Sequence, residues 1–269
     1  MRISVRHELR FSAGEGTSHA VQHLLATPRD TPAQKVVEWT ISMPGMDGAA
    51  VFDDAFGNVA HMVSQSQNDE ALFIAISGIV DTKDCNGVLG KLETDPNIAL
   101  FKRTTAQTRP NGHLINRLKA QQKAGSSRVD MFHWLMKVLH DANAPDEGED
   151  DDTPEIAAED HAHVFVAALR GMDVPARFVT GYVLSDVSAP TRLHCWAEAW
   201  DDGLGWIGFD PSVNLCPTPN YVRLAAGLDA DTTALVRLVP NVPRAADDAI
   251  RVSQDMMANQ QQQQQAISI

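Results

Sequence analysis

Cysteine is scarce in this chain, and the few thiols form no recognisable framework. There are three in 269 residues, Cys85, Cys195 and Cys216, widely spaced and without a CxxC pair. An odd number of distant cysteines is a poor basis for a disulfide scaffold. We therefore expect reduced thiols with structural roles.

Long apolar runs and excess positive charge are also missing. No stretch approaches the length that crosses a bilayer. Residues 1–7 alternate like a strand and lack the apolar core of a signal peptide. The formal net charge of −13 argues against a nucleic-acid surface, because basic side chains supply most of that affinity. We expect a cytosolic protein without membrane or nucleic-acid partners, and the sequence leaves the oligomeric state open.

The first eighty residues have the period-two alternation of β-strands. Two sets of apolar residues share one parity each, which places each set on one face of a strand. They are Ile3, Val5, His7, Leu9 and Phe11, and then Val37, Trp39, Ile41 and Met43. Asp54–Asn58 has the composition of a hairpin turn, and Leu72, Ile74 and Ile76 mark a further strand. This region is predicted to be β-rich.

In the second half of the sequence, the spacing of apolar residues becomes typical of helices. Residues 101–126 are polar and predict a connector with a short helix. Apolar spacing then predicts a helix that begins after Ser126 or Ser127 and a second helix over Glu159–Arg170 that ends at Gly171. Strands are expected after it, at Arg177–Val183, His194–Trp200 and Trp206–Phe209, with a weaker candidate at Leu235–Val239.

These patterns predict an α+β protein with four parts. Residues 1–100 form a β-rich N-terminal domain, 101–126 a connector, 127–245 a core with a central helix on an antiparallel sheet, and 246–269 a tail. The tail carries the low-complexity run Gln260–Gln265, and the acidic run Asp146–Asp152 is most simply a solvated loop. A role for that loop in guarding a cleft or meeting a basic partner stays open.

Three motifs in the core resemble bacterial transglutaminase-like proteins, which share the architecture of papain-like cysteine proteases. The motifs are Glu159-Asp160-His161-Ala162-His163, His194-Cys195-Trp196-Ala197-Glu198-Ala199-Trp200 and Trp206-Ile207-Gly208-Phe209-Asp210-Pro211. The closing segment 221–227 and the β-rich N-terminal region are similar to the same family, so the resemblance covers nearly the whole chain.

The resemblance implies a thiol mechanism. In the family, a cysteine at a helix N-terminus attacks an amide carbonyl, and water or an amine resolves the thioester. A helix N-terminus and a neighbouring histidine both lower a thiol pKa, and a carboxylate orients the imidazole. Carried over by motif, the histidine is His194 and the aspartate is Asp210. A turn aspartate before Pro211 is the competing interpretation of Asp210.

The nucleophile is the part that departs from the family. Its cysteine stands two residues before the aspartate that corresponds to Asp160, and here that position is Ala158. Three explanations stay open: a natural pseudoenzyme, an engineered Cys→Ala change, or another thiol in its place. Glu159 and Ile156 stand where the family usually carries glutamine and glycine. Several departures together favour the pseudoenzyme.

The remaining candidates are weaker. Cys195 follows His194 on a strand, so the two side chains are expected on opposite faces. His161 and His163 are two residues apart, which does not suit a metal site on a helix, and we expect neither metal nor cofactor. Trp196 shares a strand face with His194 and is, with Glu159 and Asp160, a candidate for lining a cleft. The function expected is peptide or protein binding, or regulation, with a disabled cysteine hydrolase or transamidase as the alternative.

Overall fold

The computed structural model describes most of the chain, in six segments. They are residues 1–11, 19–66, 72–142, 157–184, 193–239 and 247–254. The acidic run Asp146–Asp152, Ile156 and the glutamine run Gln260–Gln265 lie outside the described residues. Among the described residues, none of the helices combines the length and hydropathy needed to cross a bilayer.

Three α-helices lie in the middle of the chain. They are α1 (Gly112–Lys123), α2 (Arg128–Asp141) and α3 (Ala158–Arg170), with short 3-10 helices at Met46–Gly48 and Ile98–Lys102. Ser127 caps α2 with a reciprocal capping box to Asp130, which satisfies two otherwise unpaired backbone N–H groups. Gly171 follows α3 as its C-cap. The predicted helices are therefore confirmed to within one residue at their starts.

Thirteen strands are found in the described residues. They are β1 (Arg2–Phe11), β2 (His19–Thr27), β3 (Gln34–Ser42), β4 (Ala50–Asp53), β5 (Val59–Ser66), β6 (Leu72–Thr82), β7 (Val88–Gly90), β8 (Ala176–Val183), β9 (His194–Asp201), β10 (Gly205–Phe209), β11 (Tyr221–Gly227), β12 (Val236–Val239) and β13 (Asp247–Gln254). They form three antiparallel sheets. Two have four strands, ordered β13-β1-β6-β3 and β12-β2-β5-β4, and the third has five, ordered β11-β8-β9-β10-β7.

The two four-stranded sheets share one apolar core. Ile3 and Val5 of β1 pack in the same cluster as Leu24 of β2 and Val63 of β5. All four are essentially excluded from solvent. The predicted face of β1 is confirmed, because its alternating residues are buried throughout. The β-rich N-terminal region follows from this alternation.

The predicted face of β3 holds only in part. Trp39 and Ile41 pack against the core, whereas Val37 is 48% exposed. The pairing of β3 with β6 shifts register between Val36 and Glu38. This β-bulge adds one residue to β3, so the side chains on either side of it are out of phase.

The helices and the five-stranded sheet form a second core. α3 packs on β8 and β9, and α2 packs on α3. The buried residues of this cluster come from all three layers: Phe132, Leu135, Phe165, Leu169, Ala197, Ala199 and Phe209. The small alanines of β9 allow the helix to approach closely. The fold is therefore α+β, with the expected central helix on an antiparallel sheet.

Three strands pair with a strand from another of the predicted parts. β12, predicted within the core, pairs with β2. β13, placed in the tail by the sequence, pairs with β1 over eight residues. β7, from the N-terminal hundred residues, pairs with β10 of the core sheet. The segment 247–254, assigned to the tail, thus contains a strand that the sequence did not predict, because a strand's pairing partner can lie more than 200 residues away.

Candidate functional site

The topology of the core brings the start of α3 and the start of β9 to one end of the molecule. At the far end, Arg170 of α3 donates a hydrogen bond to the carbonyl of Ala176, where β8 begins. β8 then runs back along the helix, and its Gly181 pairs with His194. The 13 residues of α3 rise about 18 Å, and the path from Ala176 to Gly181 covers about 17 Å. Ala158 and His194 therefore lie at the same level of the core.

The first turn of α3 carries Ala158, the residue that the resemblance aligns with the family's cysteine. Ala158 is the first helical residue and is partly buried, while Glu159 and Asp160 are exposed. Ala157 precedes them as the N-cap and supplies no side-chain cap. Carboxylates suit this turn, because the helix dipole is positive there. The turn offers backbone N–H groups and negative charge, but neither a thiol nor a hydroxyl.

His194 and Asp210 are in direct contact. His194 Nε2 lies 2.5 Å from Asp210 Oδ2. The same carboxylate accepts a hydrogen bond of 2.8 Å from the Tyr221 hydroxyl at Oδ2 and one of 2.6 Å from Ser212 Oγ at Oδ1. The Ser212 backbone N–H also donates to Oδ1. Asp210 thus accepts from three residues while its own side chain is fully buried.

The environment keeps Asp210 ionised. Burial on its own would raise the pKa of this carboxyl, but hydrogen bonds from His194, Ser212 and Tyr221 and the imidazole charge hold it below its ordinary value. Burial and the Asp210 charge raise the pKa of Tyr221, which keeps its hydroxyl protonated as a donor. An ionised carboxylate accepts only, so the neutral imidazole carries its proton on Nε2.

Two aromatic rings fix the plane of the imidazole. Trp196 stacks on His194 with centroids 6.4 Å apart, and the Tyr221 ring meets it edge-on at 5.9 Å. Trp196 is only 2% exposed and supports one face of the imidazole, and it also lines a small cavity together with Glu198 and Tyr221. Gly181 makes room for it, since a Cβ there would lie 2.6 Å from the indole ring. The His194 side chain itself is 22% exposed.

Cys195 faces away from this arrangement. It shares its parity on β9 with Ala197 and Ala199, which pack on the helices, and its Sγ lies 4.0 Å from Thr180 Oγ1. Burial raises the pKa of the Cys195 thiol to about 12, and the charges of Glu159 and Asp210 add to the rise. This thiol is not activated. The influence of Glu159 also places the first turn of α3 beside the start of β9.

The other two thiols lie in loops, Cys85 between β6 and β7 and Cys216 between β10 and β11. Burial raises the pKa of Cys216, and Cys85 Sγ contacts the carbonyl of Pro32 at 3.4 Å. All three cysteines are unpaired. A thiolate needs a lowered pKa to act as a nucleophile, so a structural role fits Cys195 and Cys216 best.

The histidines of α3 point to different neighbours. His161 Nδ1 lies 3.3 Å from the carbonyl of Ala157, whereas His163 Nε2 accepts a hydrogen bond from the backbone of Ala230 and its ring stacks on Phe178. Burial lowers the pKa of His163 even though the nearby carboxylates oppose it. Within the described segments, no group of three or more potential ligands could hold a metal ion.

A buried ion-pair cluster supports the sheet below the site. Glu198, fully buried, pairs with Arg177 at 2.5 Å and with Arg223 at 2.8 Å. Arg177 also pairs with Asp95 and stacks over the Trp206 ring at 4.0 Å. The sequence supplied the motif that contains Glu198, but not this cluster. It likewise gave no role to Tyr221 or Ser212, although a serine two residues after an aspartate is a recognisable turn signal.

Family models match both halves of this architecture. Residues 3–81 match the bacterial transglutaminase-like N-terminal region, and residues 156–211 match the transglutaminase-like superfamily. Over residues 156–211 the chain is therefore similar to the transglutaminase-like superfamily, and over residues 3–81 to the N-terminal region of bacterial transglutaminase-like proteins. The second match contains Ala158, His194 and Asp210. The resemblance predicted from the sequence is therefore confirmed.

Individual relatives are distant. An uncharacterised protein of Mycobacterium leprae is 32% identical over 77 residues, and the match spans about a quarter of each chain, 26% of this one and 27% of that one. A candidate cysteine protease from Cytophaga hutchinsonii has a crystal structure that aligns with a TM-score of 0.69 over 94% of this chain and 90% of that one, at 17% identity. At that identity the likeness shows the fold alone. The periplasmic domain of TgpA from Pseudomonas aeruginosa aligns at a TM-score of 0.35 and 14% identity over 77% of this chain and 87% of that one, too low to support an argument.

Proposed function

We propose that this transglutaminase-like protein has lost thiol-based acyl transfer and acts by binding a peptide or protein, or by regulating a partner. The observation that carries the proposal is the contrast within one site. Ala158 begins α3 where the family has its cysteine, while His194 and Asp210 remain hydrogen-bonded. A cytosolic location is part of the proposal, and fractionation of cells tests it.

Loss of the nucleophile raises the activation barrier by a large amount. An alanine methyl group neither attacks a carbonyl nor holds an acyl group. Removing the nucleophile of a well-studied serine protease costs about 10⁶ in turnover, which is about 8 kcal/mol of barrier. The half-buried Cys195, with its raised pKa, offers no replacement. Turnover through a thiol at this site should therefore be negligible.

Purified protein tests the proposal. It is incubated with glutamine-containing peptides, with and without a primary amine, before and after alkylation with iodoacetamide. We expect no amide hydrolysis or amine transfer that alkylation abolishes, and saturable binding of one or more peptides. Turnover that disappears when a single cysteine is alkylated would overturn the proposal.

The second candidate is an active cysteine hydrolase or transamidase in which alanine has replaced the nucleophile of the natural protein. The observation in its favour is the complete support of Asp210 by Ser212 and Tyr221. The codon at position 158 of the native gene separates the two candidates. A cysteine codon means that an enzyme was disabled, and an alanine codon leaves the binding protein.

A further inference from the structure

The second ring nitrogen of His194 is the unused chemical group of the site. Asp210 is ionised and takes the Nε2 proton of the imidazole, so the lone pair of the neutral ring lies on Nδ1. Nδ1 has no hydrogen-bond partner in the part of the chain that the structure describes. The side chain reaches solvent, and Trp196 and Tyr221 hold the ring in one plane. The lone pair is thus oriented and open to water.

Other histidines do not share these conditions. His161 is 4% exposed and has Nδ1 against a carbonyl. The Nε2 lone pair of His163 already accepts from the Ala230 backbone. His140 Nδ1 lies 3.2 Å from the carbonyl of Ser212. His194 therefore combines a carboxylate on one ring nitrogen with an accessible base on the other, which is the arrangement that general-base catalysis needs.

We propose that the His194–Asp210 pair activates water directly and hydrolyses esters or thioesters that have a good leaving group. The inference depends on the proposed function in one respect, because it takes position 158 as a vacated nucleophile position. Without a thiol, no acyl-enzyme forms. A water molecule becomes the nucleophile, and the imidazole removes its proton.

The reaction balances without any further reactant. Nδ1 takes one proton from water as the water oxygen bonds to the acyl carbon, and the carbonyl π pair moves onto the acyl oxygen. The tetrahedral intermediate then re-forms the C=O bond and expels the alkoxide, phenolate or thiolate. That leaving group takes the proton from Nδ1. The products are a carboxylic acid and an alcohol, phenol or thiol, and His194 returns to its neutral form.

The leaving group limits the substrate class. Phenolates and thiolates depart readily because they are weak bases, whereas an amide nitrogen must be protonated before its bond breaks. A thiol nucleophile meets that demand in two steps through an acyl-enzyme, and a single attack by water does not. Activated esters and thioesters are therefore the expected substrates, and peptide amides are not.

The test uses the full chain after treatment with iodoacetamide, which blocks the thiols that are reactive in the folded protein. Initial rates are measured with p-nitrophenyl acetate and S-phenyl thioacetate, in H₂O and in D₂O. We expect hydrolysis above the buffer rate, no burst, and a slower rate in D₂O. His194→Gln should lower the enzyme-dependent rate by about 10²–10⁴-fold, the range of a positioned general base. His113→Gln, which removes an exposed histidine of α1, should leave it unchanged.

Three results would overturn the inference. They are a rate equal to buffer, a rate that His194→Gln leaves intact in a variant whose circular dichroism shows it folded, and a burst with an acylated protein in the mass spectrum. If His194→Gln does not fold, Asp210→Asn must produce the loss, since it leaves the imidazole without its carboxylate. Peptide binding is measured separately, so failure of hydrolysis alone leaves the proposed function standing. If the protein hydrolyses the esters but binds no peptide, the inference stands and the proposed function fails.

Discussion

The two sides of the candidate site differ in the side-chain hydrogen bonds and the burial that hold them in place. The sheet side, formed by His194, Asp210, Ser212 and Tyr221, is a network around a buried carboxylate. The helix side, formed by Ala158, Glu159 and Asp160, is a first turn without a side-chain cap and with exposed acids. Under the proposed function, loss of a nucleophile at position 158 would change the helix side by one side chain and leave the sheet side untouched.

Under the proposed function, this difference would explain how the His194–Asp210 pair persists without a thiol. Asp210 closes the loop between β10 and β11, since its hydrogen bonds to Ser212 and Tyr221 hold residues that follow it in the chain. A buried polar group with all its partners stabilises the fold whatever the chemistry. The sheet side therefore has a structural role of its own, whereas the Ala158 side chain on the helix side has no hydrogen-bonding group.

The largest effect is expected below the sheet side, at Glu198. Glu198→Gln removes a charge that is fully buried between Arg177 and Arg223. Breaking a buried ion pair by changing one partner costs about 3–5 kcal/mol, and chemical denaturation measures it. Glu38→Gln, at an exposed position of β3, should stay within about 0.5 kcal/mol. A loss below about 1 kcal/mol for Glu198→Gln would show that the sheet is not held by this charge.

The next effect is at the carboxylate itself. Asp210→Asn leaves the His194, Ser212 and Tyr221 donors with one acceptor atom instead of a carboxylate, at a cost of about 1–3 kcal/mol. Tyr221→Phe removes one donor and should cost about 1 kcal/mol. Since the folded pKa of Asp210 is lowered, its contribution is present above about pH 4 and lost as the pH falls further. If Asp210→Asn and wild type are equally stable at pH 7, the hydrogen bonds to this carboxylate do not stabilise the sheet side more than the helix side.

A smaller effect on stability is expected at His163, and this effect depends on pH. His163 anchors α3 to the Ala230 backbone, and burial lowers its folded pKa. The unfolded chain therefore takes the proton first, so the contribution of His163 is full above about pH 6.5 and declines below it. His163→Gln should cost about 1 kcal/mol at pH 8, the worth of one hydrogen bond, and the gap to wild type should narrow towards pH 5. Thermal unfolding across that range checks it, and a widening gap would contradict it.

The smallest effect is expected on the helix side. Asp160→Asn removes one exposed charge from the first turn of α3, where the dipole interaction is worth about 0.3–1 kcal/mol at low salt. The difference should shrink in high salt, because exposed charges are screened. A loss of stability above 2 kcal/mol that does not depend on salt would mean that specific contacts stabilise this turn as much as they stabilise the sheet side.

Sequence alone gave the elements of the site but not its contacts. α3, β9 and β10 follow from apolar periodicity, and His194 and Asp210 follow from a motif at their ends. The contact of Ser212 with Asp210 had a local turn signal, whereas the role of Tyr221 depends on how the loop after Asp210 closes, which no local pattern encodes. β13 was missed for a similar reason, since its pairing with β1 joins the two ends of the described chain. Long-range register lies beyond what periodicity predicts.

The central claim is that position 158 is a nucleophile position from which the sulfur is missing. Ala158→Cys tests it most directly, with Ala157→Cys as the matched control one residue earlier. Each variant is treated with p-nitrophenyl acetate, and mass spectrometry of its peptides locates the acyl group. We predict acylation at position 158 at least about 10²-fold faster than at position 157, the smaller end of what a positioned base contributes, and loss of that advantage with His194→Gln. Equal rates at the two positions, or faster acylation of Cys85, Cys195 or Cys216, would contradict the account.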